Sequence, residues 1–290
     1  MLFRSMTTDD ALLCPDDESS IEDKIDFALR VEAALKAKPL VKNVPYNGVQ
    51  SGFGHRAIYS TAGLKADIRY RSMSAYAYAL IEDGETNAME GAGQAARRFT
   101  ALDREALVSK VYQAGIDILQ GKPISSGRYD VIFDTETQSE LLAVFAMMFS
   151  GKSAKDGVNP MRDRLGDAIA DPRLSLFDDP GDTQGFGYAL FDDEGSLAQQ
   201  TPLITAGTLQ TLIHNSATAA HYGVTTTGHA TRGPRSTLGV GLHQLKAQPG
   251  PSTEATCTAG RWLEVTDLTG LHSGANPISG EFSFGASGYL

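Results

Sequence analysis

The sequence predicts an α+β fold with two domains, in which mainly antiparallel sheets are flanked by helices. Strand-like segments follow one another and do not alternate with helical ones, which is typical of this class. Two segments have the three- to four-residue apolar spacing of amphipathic helices. A short linker rich in Pro, Ser and Gly, residues 122–127, separates two stretches of different texture. We therefore place an N-terminal α+β domain at 19–121 and a second domain at 122–290.

The first helix is expected to follow an acidic lead-in. Residues 1–18 are predicted to be disordered or non-native, because residues 7–18 are acidic and show no periodicity. Ser19 and Glu22 form a capping box, since the hydroxyl and the carboxylate each accept a backbone N–H of the first turn. The helix ends at Lys36–Pro39, and its apolar face contains Ile21, Ile25, Ala28 and Leu35.

Strands are expected between Val44 and Asp83, followed by a turn at Glu82–Gly84. In Ser74–Ile81, large side chains alternate with small ones, mostly alanine. The alanine side suits a sheet face that is covered by a helix. Gly91–Ala96 imitates a dinucleotide-binding fingerprint, but no strand is predicted before it, so we interpret it as a loop.

The second helix is predicted from Asp103, its N-cap, to Gln120, with Gly121 as a left-handed C-cap. The second domain then begins with a strand at Tyr129–Phe133 and a helix at Thr137–Phe149. Its remaining predicted elements are a helix over Thr208–Tyr222 and strands at Gly187–Phe191, Leu263–Leu268 and Glu281–Phe284.

Composition excludes several classes of function. The formal net charge of −10 and the pI of about 5.0 argue against direct binding to nucleic acid, whose phosphates need a basic surface. No apolar stretch approaches the roughly 18 residues of a membrane helix. The N terminus lacks the apolar core of a secretory signal, so we expect a cytoplasmic protein. Cys14 and Cys257 make neither a disulfide framework nor a cysteine-rich zinc site.

Three histidines, His214, His221 and His229, lie close together in the sequence and are a candidate metal site. The alternative interpretation is that the first two share a helix face and that His229 is bonded locally in a loop. The acidic stretch Asp192–Gly195 is favoured as a solvated turn over a cation or peptide site.

The segment 225–235 combines threonines, glycines, a histidine and two arginines with little apolar content. Such a loop is either functional or mobile. Its glycines let backbone N–H groups approach a ligand, and Arg232 or Arg235 offers a bidentate contact to a carboxylate. Binding loop and plain loop both stay open on the sequence alone.

Several segments in a fixed order resemble the TldD/PmbA peptidase family. They are Phe191–Gly195, His214–Ala217, Thr226–Ala230 and Ile278–Gly288, together with the strand Tyr129–Phe133. The resemblance covers nearly all of 19–290 and implies a C-terminal TldD/PmbA-type domain at 122–290. Family members carry further sequence on both sides, so it also implies an N-terminally truncated first domain and a C-terminally truncated second one. The family name modulator of DNA gyrase describes an indirect effect.

The resemblance also implies a role. In TldD-type subunits a His-Glu-x-x-x-His motif on the helix after the first strand of this domain holds the metal, and a later cysteine is a further ligand. The corresponding residues here, Gln138–Phe149, contain no histidine. The resemblance therefore implies the metal-free PmbA (TldE-like) branch, without a cofactor of its own. The resemblance likewise implies that a TldD-type partner supplies zinc and that unfolded peptide is the substrate.

The candidate residues for contact with peptide or for lining its chamber are Glu194, His214, Ser216, His229, Arg232 and Arg235. The alternative hypothesis is a metallopeptidase in its own right, with a metal at His214, His221 and His229 and with Glu194 as the base.

Overall fold

The computed structural model describes residues 5–7, 10–233 and 235–290, and its fold is α+β with mainly antiparallel sheets, as the sequence predicts. The described chain divides into two compact units. Among the described residues, the N-terminal unit comprises Thr7, residues 10–57 and Asp67–Ser126. The C-terminal unit comprises the described residues Ser5 and Met6, Ile58–Ala66 around the turn of a long hairpin, and Gly127–Leu290.

The N-terminal elements form a sheet and its covering helices. The sheet order is β1-β3-β2, with β4 pairing β3 in an antiparallel hairpin. A short 3-10 turn lies at Phe99–Ala101. The elements are β1 (Ser5–Thr7), α1 (Asp10–Leu13), α2 (Ile21–Lys36), β2 (Val41–Tyr59), β3 (Lys65–Glu82), β4 (Asn87–Ala96) and α3 (Arg104–Gln120).

The core of this unit forms where α2 and α3 pack on the alanine side of β3. Alternate residues of β3, from Ala75 to Ile81, are buried together with Val111 of α3. Gly115 of α3 lies against Ile81, since a Cβ at Gly115 would come within 2.4 Å of Ile81 Cδ1. The prediction that a helix covers the alanine face is confirmed, and the N-cap at Asp103 is confirmed as well.

The start of the chain differs from the prediction. The capping box of α2 consists of Ser20 and Asp23, one residue later than predicted. The buried face of α2 therefore contains Val31 and Leu35, while Ile21 and Ile25 are exposed. Within the predicted lead-in, α1 is helical and Leu13 is buried. Residues 1–4, 8 and 9 lie outside the described residues.

Two glycine predictions are wrong. Gly91–Ala96 lies in β4, not in a loop. Gly91 faces the ring of Tyr78, because a Cβ there would be 2.4 Å from two ring carbons. Gly121 has an extended backbone, φ −62° and ψ 149°, so α3 ends without a left-handed cap.

The C-terminal unit is built from short elements. One sheet has the order β11-β6-β7-β8 and another the order β15-β12-β5, in which β5 and β12 are parallel. Two-stranded ladders join β9 to β10 and β13 to β14. The elements are β5 (Val131–Phe133), α4 (Thr135–Val144), α5 (Gly151–Lys155), β6 (Leu176–Asp178), β7 (Thr201–Thr205), β8 (Thr208–Leu209), α6 (Ser216–Tyr222), β9 (Ala230–Thr231), β10 (Gly239–Val240), β11 (Leu245–Ala247), α7 (Glu254–Cys257), β12 (Leu263–Thr269), β13 (Ala275–Asn276), β14 (Glu281–Phe282) and β15 (Gly285–Tyr289).

Several boundaries of this unit were predicted incorrectly. The helix expected over 208–222 is only α6, because Asn215 caps its start and Gly223, with φ 67°, ends it. The helix expected to reach Phe149 ends at Val144 and continues as a 3-10 turn. Gly187–Phe191 is not a strand, although Phe191 makes an isolated bridge to Leu197. In the described part of the chain, no helix combines the length and apolarity needed to cross a membrane.

Candidate functional site

The C-terminal unit encloses a cluster of three ionisable side chains, Asp178, His229 and His243, called here the Asp–His–His cluster. One ligand-capable atom from each residue lies within 4.8 Å of the others. The side chains of Asp178 and His229 are 0% exposed, and His243 is partly exposed. Asp178 ends β6, while His229 directly precedes β9 and His243 lies just before β11. The fold therefore brings three separate segments to one buried point.

Asp178 accepts hydrogen bonds through both carboxylate oxygens. Its Oδ1 accepts the backbone N–H groups of His243, at 2.9 Å, and of Gln244, at 2.8 Å. Its Oδ2 lies 3.0 Å from Nε2 of His229. Buried carboxylates need such partners, because an unpaired charge is costly to remove from water. Asp178 thus fixes the path of the chain into β11 as well as the ring of His229.

The two histidine rings of the cluster each contact a backbone carbonyl. Nδ1 of His229 lies 2.8 Å from the carbonyl oxygen of Thr227, and Nε2 of His243 lies 2.8 Å from that of Gly228. The ring centroids are 4.9 Å apart. Burial lowers the pKa of His243, and the nearby His229 lowers it further. Both effects favour the neutral form of His243.

A glycine sets the position of His229. Gly228 has φ 73°, a left-handed conformation that side chains disfavour. A Cβ at this position would lie 2.4 Å from the carbonyl oxygen of Leu197. In the predicted Gly-rich loop, Gly228 therefore packs against the backbone of Leu197, and the next residue, His229, is buried.

The acidic turn, Asp192–Gly195, differs from the predicted solvated turn because Asp192 is only 1% exposed. Oδ1 of Asp192 accepts the N–H groups of Glu194, at 3.0 Å, and Ser196, at 2.9 Å. Oδ2 accepts the N–H of Ala230 at 3.0 Å. Burial raises the pKa of Asp192 against the opposing effect of these bonds. The turn thereby anchors the residue after His229.

Three of the sequence-predicted site residues contact or adjoin the acidic turn. Glu194 accepts the backbone N–H of Ser216 at 2.8 Å through Oε2, and it accepts the Ser216 hydroxyl through Oε1. The backbone N–H of Arg232 donates to Asp193 at 2.6 Å. Both carboxylate oxygens of Glu194 are therefore engaged at the start of α6. The side chains of Arg232 and Arg235 are exposed.

His214 is buried beside the same loop, with 4% of its surface exposed. Its backbone N–H donates to the hydroxyl of Thr227 at 2.6 Å, and its Nδ1 lies 3.2 Å from the Thr218 hydroxyl. Burial lowers the pKa of His214, and the nearby His229 lowers it further. His214 thus links the start of α6 to the segment that carries His229.

The predicted metal trio is not assembled. His221 is exposed and its ring packs edge-on against Tyr222, whereas His214 and His229 are buried. Among the described residues, the group of three or more side chains that could together hold a metal ion is Asp178, His229 and His243. Sequence reasoning missed Asp178 and His243. Asp178 lies 51 residues before His229, so no local spacing in the sequence indicates that the two residues meet. The one feature that could have drawn attention to Asp178 is its position at the end of a short apolar strand.

The chain matches two domains of one family over most of its length. Residues 14–113 match the central domain of the PmbA/TldA metallopeptidases, and residues 126–290 match the C-terminal domain. The metalloprotease PmbA homolog of Haemophilus influenzae is 26% identical over 277 residues, which are 93% of this chain and 58% of the relative. Metalloprotease PmbA of Escherichia coli O157:H7 is 25% identical, over 94% of this chain and 59% of the relative.

Solved structures agree with this match. A Thermotoga maritima protein described as a modulator of a DNA gyrase superposes with a TM-score of 0.85 at 27% identity, covering 94% of this chain and 63% of that one. TldE from Thermococcus kodakarensis shares the fold, with a TM-score of 0.73 at 20% identity, over 87% of this chain and 58% of that one. The chain thus spans about three fifths of the length of these relatives. It belongs to the PmbA/TldD metallopeptidase family, and its PmbA relatives match it over nearly its whole length.

Proposed function

We propose that this chain is the PmbA/TldE-like, non-catalytic subunit of a heterodimeric metallopeptidase that acts on unfolded peptides in the cytoplasm. The observation that carries the proposal is the composition of α4. This helix follows β5, where the family resemblance places the metal-binding motif, and neither α4 nor the 3-10 turn after it contains histidine or cysteine. The net charge of −10 supports the exclusion of nucleic acid as a direct partner.

The side chains of α4 do not fit a catalytic zinc ion. The helix offers the exposed carboxylates of Glu136 and Glu140, one turn apart. A catalytic zinc site needs three protein ligands and an open position, and in peptidases imidazoles supply most of them. Two carboxylates without an imidazole do not provide this set. The proposal therefore assigns the zinc and the general base to a TldD-type partner.

The proposed contribution of this chain is peptide binding beside the acidic turn. Arg232 and Arg235 have exposed side chains there, and a guanidinium can bind a carboxylate of a peptide through two parallel hydrogen bonds. His214 and His229 are buried, so their proposed role is to hold this loop and not to touch the peptide. Glu194 and Ser216 are bonded to each other, which fixes the loop to α6.

Peptidase activity with and without the partner tests the proposal. We expect the purified chain alone to leave unfolded peptides intact, and to produce cleavage when it is mixed with a TldD-type subunit carrying His-Glu-x-x-x-His. Chelation should then abolish the activity. Chelator-sensitive cleavage by this chain alone would overturn the non-catalytic role, and failure of the two proteins to co-elute would overturn the heterodimer.

A double substitution tests the peptide contact. In the active mixture, Arg232→Ala with Arg235→Ala should raise KM for acidic peptides at least about fivefold, because a charge-assisted hydrogen bond contributes roughly 1.5–3 kcal/mol. The control is Arg173→Ala, an exposed arginine of the same unit that pairs with Asp171. Equal KM values for the double variant and the control would contradict the assignment.

A further inference from the structure

We propose that the Asp–His–His cluster binds one divalent first-row transition metal ion, of the Zn²⁺ type, which stabilises the C-terminal unit. The ligands are Asp178, His229 and His243, none of which lies on α4. The ion is therefore separate from the catalytic zinc that the proposed function assigns to a partner. The site also departs from the sequence-based expectation that this chain holds no metal.

The hydrogen bonds of His229 determine where its proton lies. Its Nδ1 is 2.8 Å from the carbonyl oxygen of Thr227, which only accepts. The Thr227 hydroxyl accepts the N–H of His214 and lies 3.1 Å from the His214 carbonyl, to which it donates its own proton. Nδ1 of His229 must therefore carry a proton. This leaves Nε2 facing the Asp178 carboxylate at 3.0 Å.

A neutral His229 would then direct its Nε2 lone pair at a carboxylate oxygen. The contact is favourable only when a second proton or a metal cation lies between the two atoms. A second proton would either neutralise Asp178, although its Oδ1 accepts two backbone N–H groups and so favours the carboxylate, or create an imidazolium in a site where the His229 and Asp178 side chains are both 0% exposed. Burying such an ion pair has a large desolvation cost. A divalent cation instead uses both the lone pair and the carboxylate as ligands.

His243 supplies the third ligand on the same reasoning. Its Nε2 donates to the carbonyl of Gly228 at 2.8 Å, so its Nδ1 keeps a lone pair. A neutral imidazole with one free ring nitrogen is the form that binds metals. His243 is the partly exposed member of the cluster.

The surroundings of the cluster match those of known metal sites. Metal-binding histidines almost always donate their second ring N–H to a carbonyl or carboxylate, as His229 and His243 both do here. The second oxygen of Asp178 accepts two backbone N–H groups, which fixes the orientation of the carboxylate. Two imidazoles and one carboxylate suit zinc and its first-row neighbours, with a fourth position left for water.

Metal binding to the intact chain is the direct test. The purified chain, stripped with chelator and loaded with Co²⁺, should retain about one ion per chain after desalting and show visible d–d absorption typical of nitrogen and oxygen ligands. Zn²⁺ should displace Co²⁺ and raise Tm. Absence of both the absorption and a Tm shift in the wild-type chain would overturn the proposal and leave a protonated His229–Asp178 ion pair.

His243→Gln separates the metal from the ion pair. This variant keeps a side-chain N–H donor for Gly228 and leaves His229 and Asp178 in place, so we expect it to fold. It should weaken Co²⁺ binding at least about tenfold. Mutating a residue that only hydrogen-bonds to a metal ligand already lowers metal affinity about 10–100-fold, and loss of the ligand itself should cost more. The control is His221→Ala, an exposed histidine outside the cluster. Equal Co²⁺ binding by the two variants would show adventitious binding and overturn the site.

Discussion

The interiors of the two units differ, because both contain an apolar core but, among the described residues, only the C-terminal one also buries polar side chains. In the N-terminal unit, every buried residue that the structure describes is apolar or glycine, as in the alanine face of β3. The described buried residues with polar or charged side chains all belong to the C-terminal unit: Thr137, Ser150, Asn159, Asp178, Asp192, Thr201, His214, Asn215, Thr218 and His229. Apolar burial needs only shape and area, whereas each buried polar group needs a specific partner. The segments that resemble the TldD/PmbA family, such as Phe191–Gly195 and His214–Ala217, lie in the C-terminal unit.

The largest effect is expected from Asp178→Ala. It leaves two buried N–H groups and His229 without their partner, so the free energy of unfolding of the C-terminal unit should fall by about 3–5 kcal/mol. Asp178→Asn should cost less, because an amide oxygen can still accept the two N–H groups. The chain's one tryptophan, Trp262, lies in this unit, so its fluorescence in a urea titration with chelator present is the measurement. A loss below about 1 kcal/mol would contradict the polar character of this core.

Leu35→Ala is the corresponding change in the apolar interior. Leu35 is 0% exposed, and its truncation should destabilise the N-terminal unit by about 2–5 kcal/mol through lost burial and a residual cavity. The loss should be independent of pH, because no buried ionisable group lies nearby among the described residues of this unit. Hydrogen exchange of α2 and α3 at two pH values measures it. A clear pH dependence would break the contrast between the two units.

Two helix caps sharpen the comparison at smaller scale. Asp103 accepts the N–H of Ala106 at an exposed helix start, so Asp103→Ala should cost about 1 kcal/mol. Asn215 is buried, accepts the N–H of Thr218 and also donates to the carbonyl of Gly239. Asn215→Ala should cost roughly 2 kcal/mol, because it also removes the side-chain hydrogen bond to the partly buried carbonyl of Gly239. Denaturation followed by circular dichroism compares them, and equal costs would remove the distinction.

The smallest effect concerns pH. Burial and the nearby His229 lower the pKa of His214, so below the ordinary value of 6.5 the unfolded chain binds a proton that the native chain resists. Stability is therefore complete above this value and falls as the pH decreases through it. The midpoint of Trp262 fluorescence should decrease between about pH 7.5 and about pH 5.5, and His214→Gln should reduce the slope. An unchanged slope in this variant would assign the dependence to other groups.

The sequence was a good guide where periodicity alone decides the structure. The alanine side of β3 and the N-cap at Asp103 follow from local patterns, because neighbouring residues in one element share a face. It was a poorer guide at boundaries. The pattern favoured a helix over 208–222. In the structure, however, Thr208–Leu209 forms strand β8, which pairs with β7, and α6 begins only after its N-cap, Asn215. Tertiary pairing outweighs helix propensity over such short segments.

The candidate site could be predicted only in part. The sequence marked His229 and the acidic turn as unusual. It nevertheless favoured a solvated Asp192, whereas this side chain is buried and accepts the backbone N–H groups of three other residues. Asp178 and His243 were missed, since Asp178 lies 65 residues before the N–H that it accepts. A hydrogen bond over that separation leaves no periodic trace in the chain.

The sequence by itself determined the fold class, the motifs that led to the family, and the lack of histidine on α4, because these depend on residue type and local spacing. The tertiary structure alone decided which polar side chains meet in the interior and which stay in water. The physical reason is that a buried charge is stable only beside its partners, and chain folding, not residue order, brings those partners together.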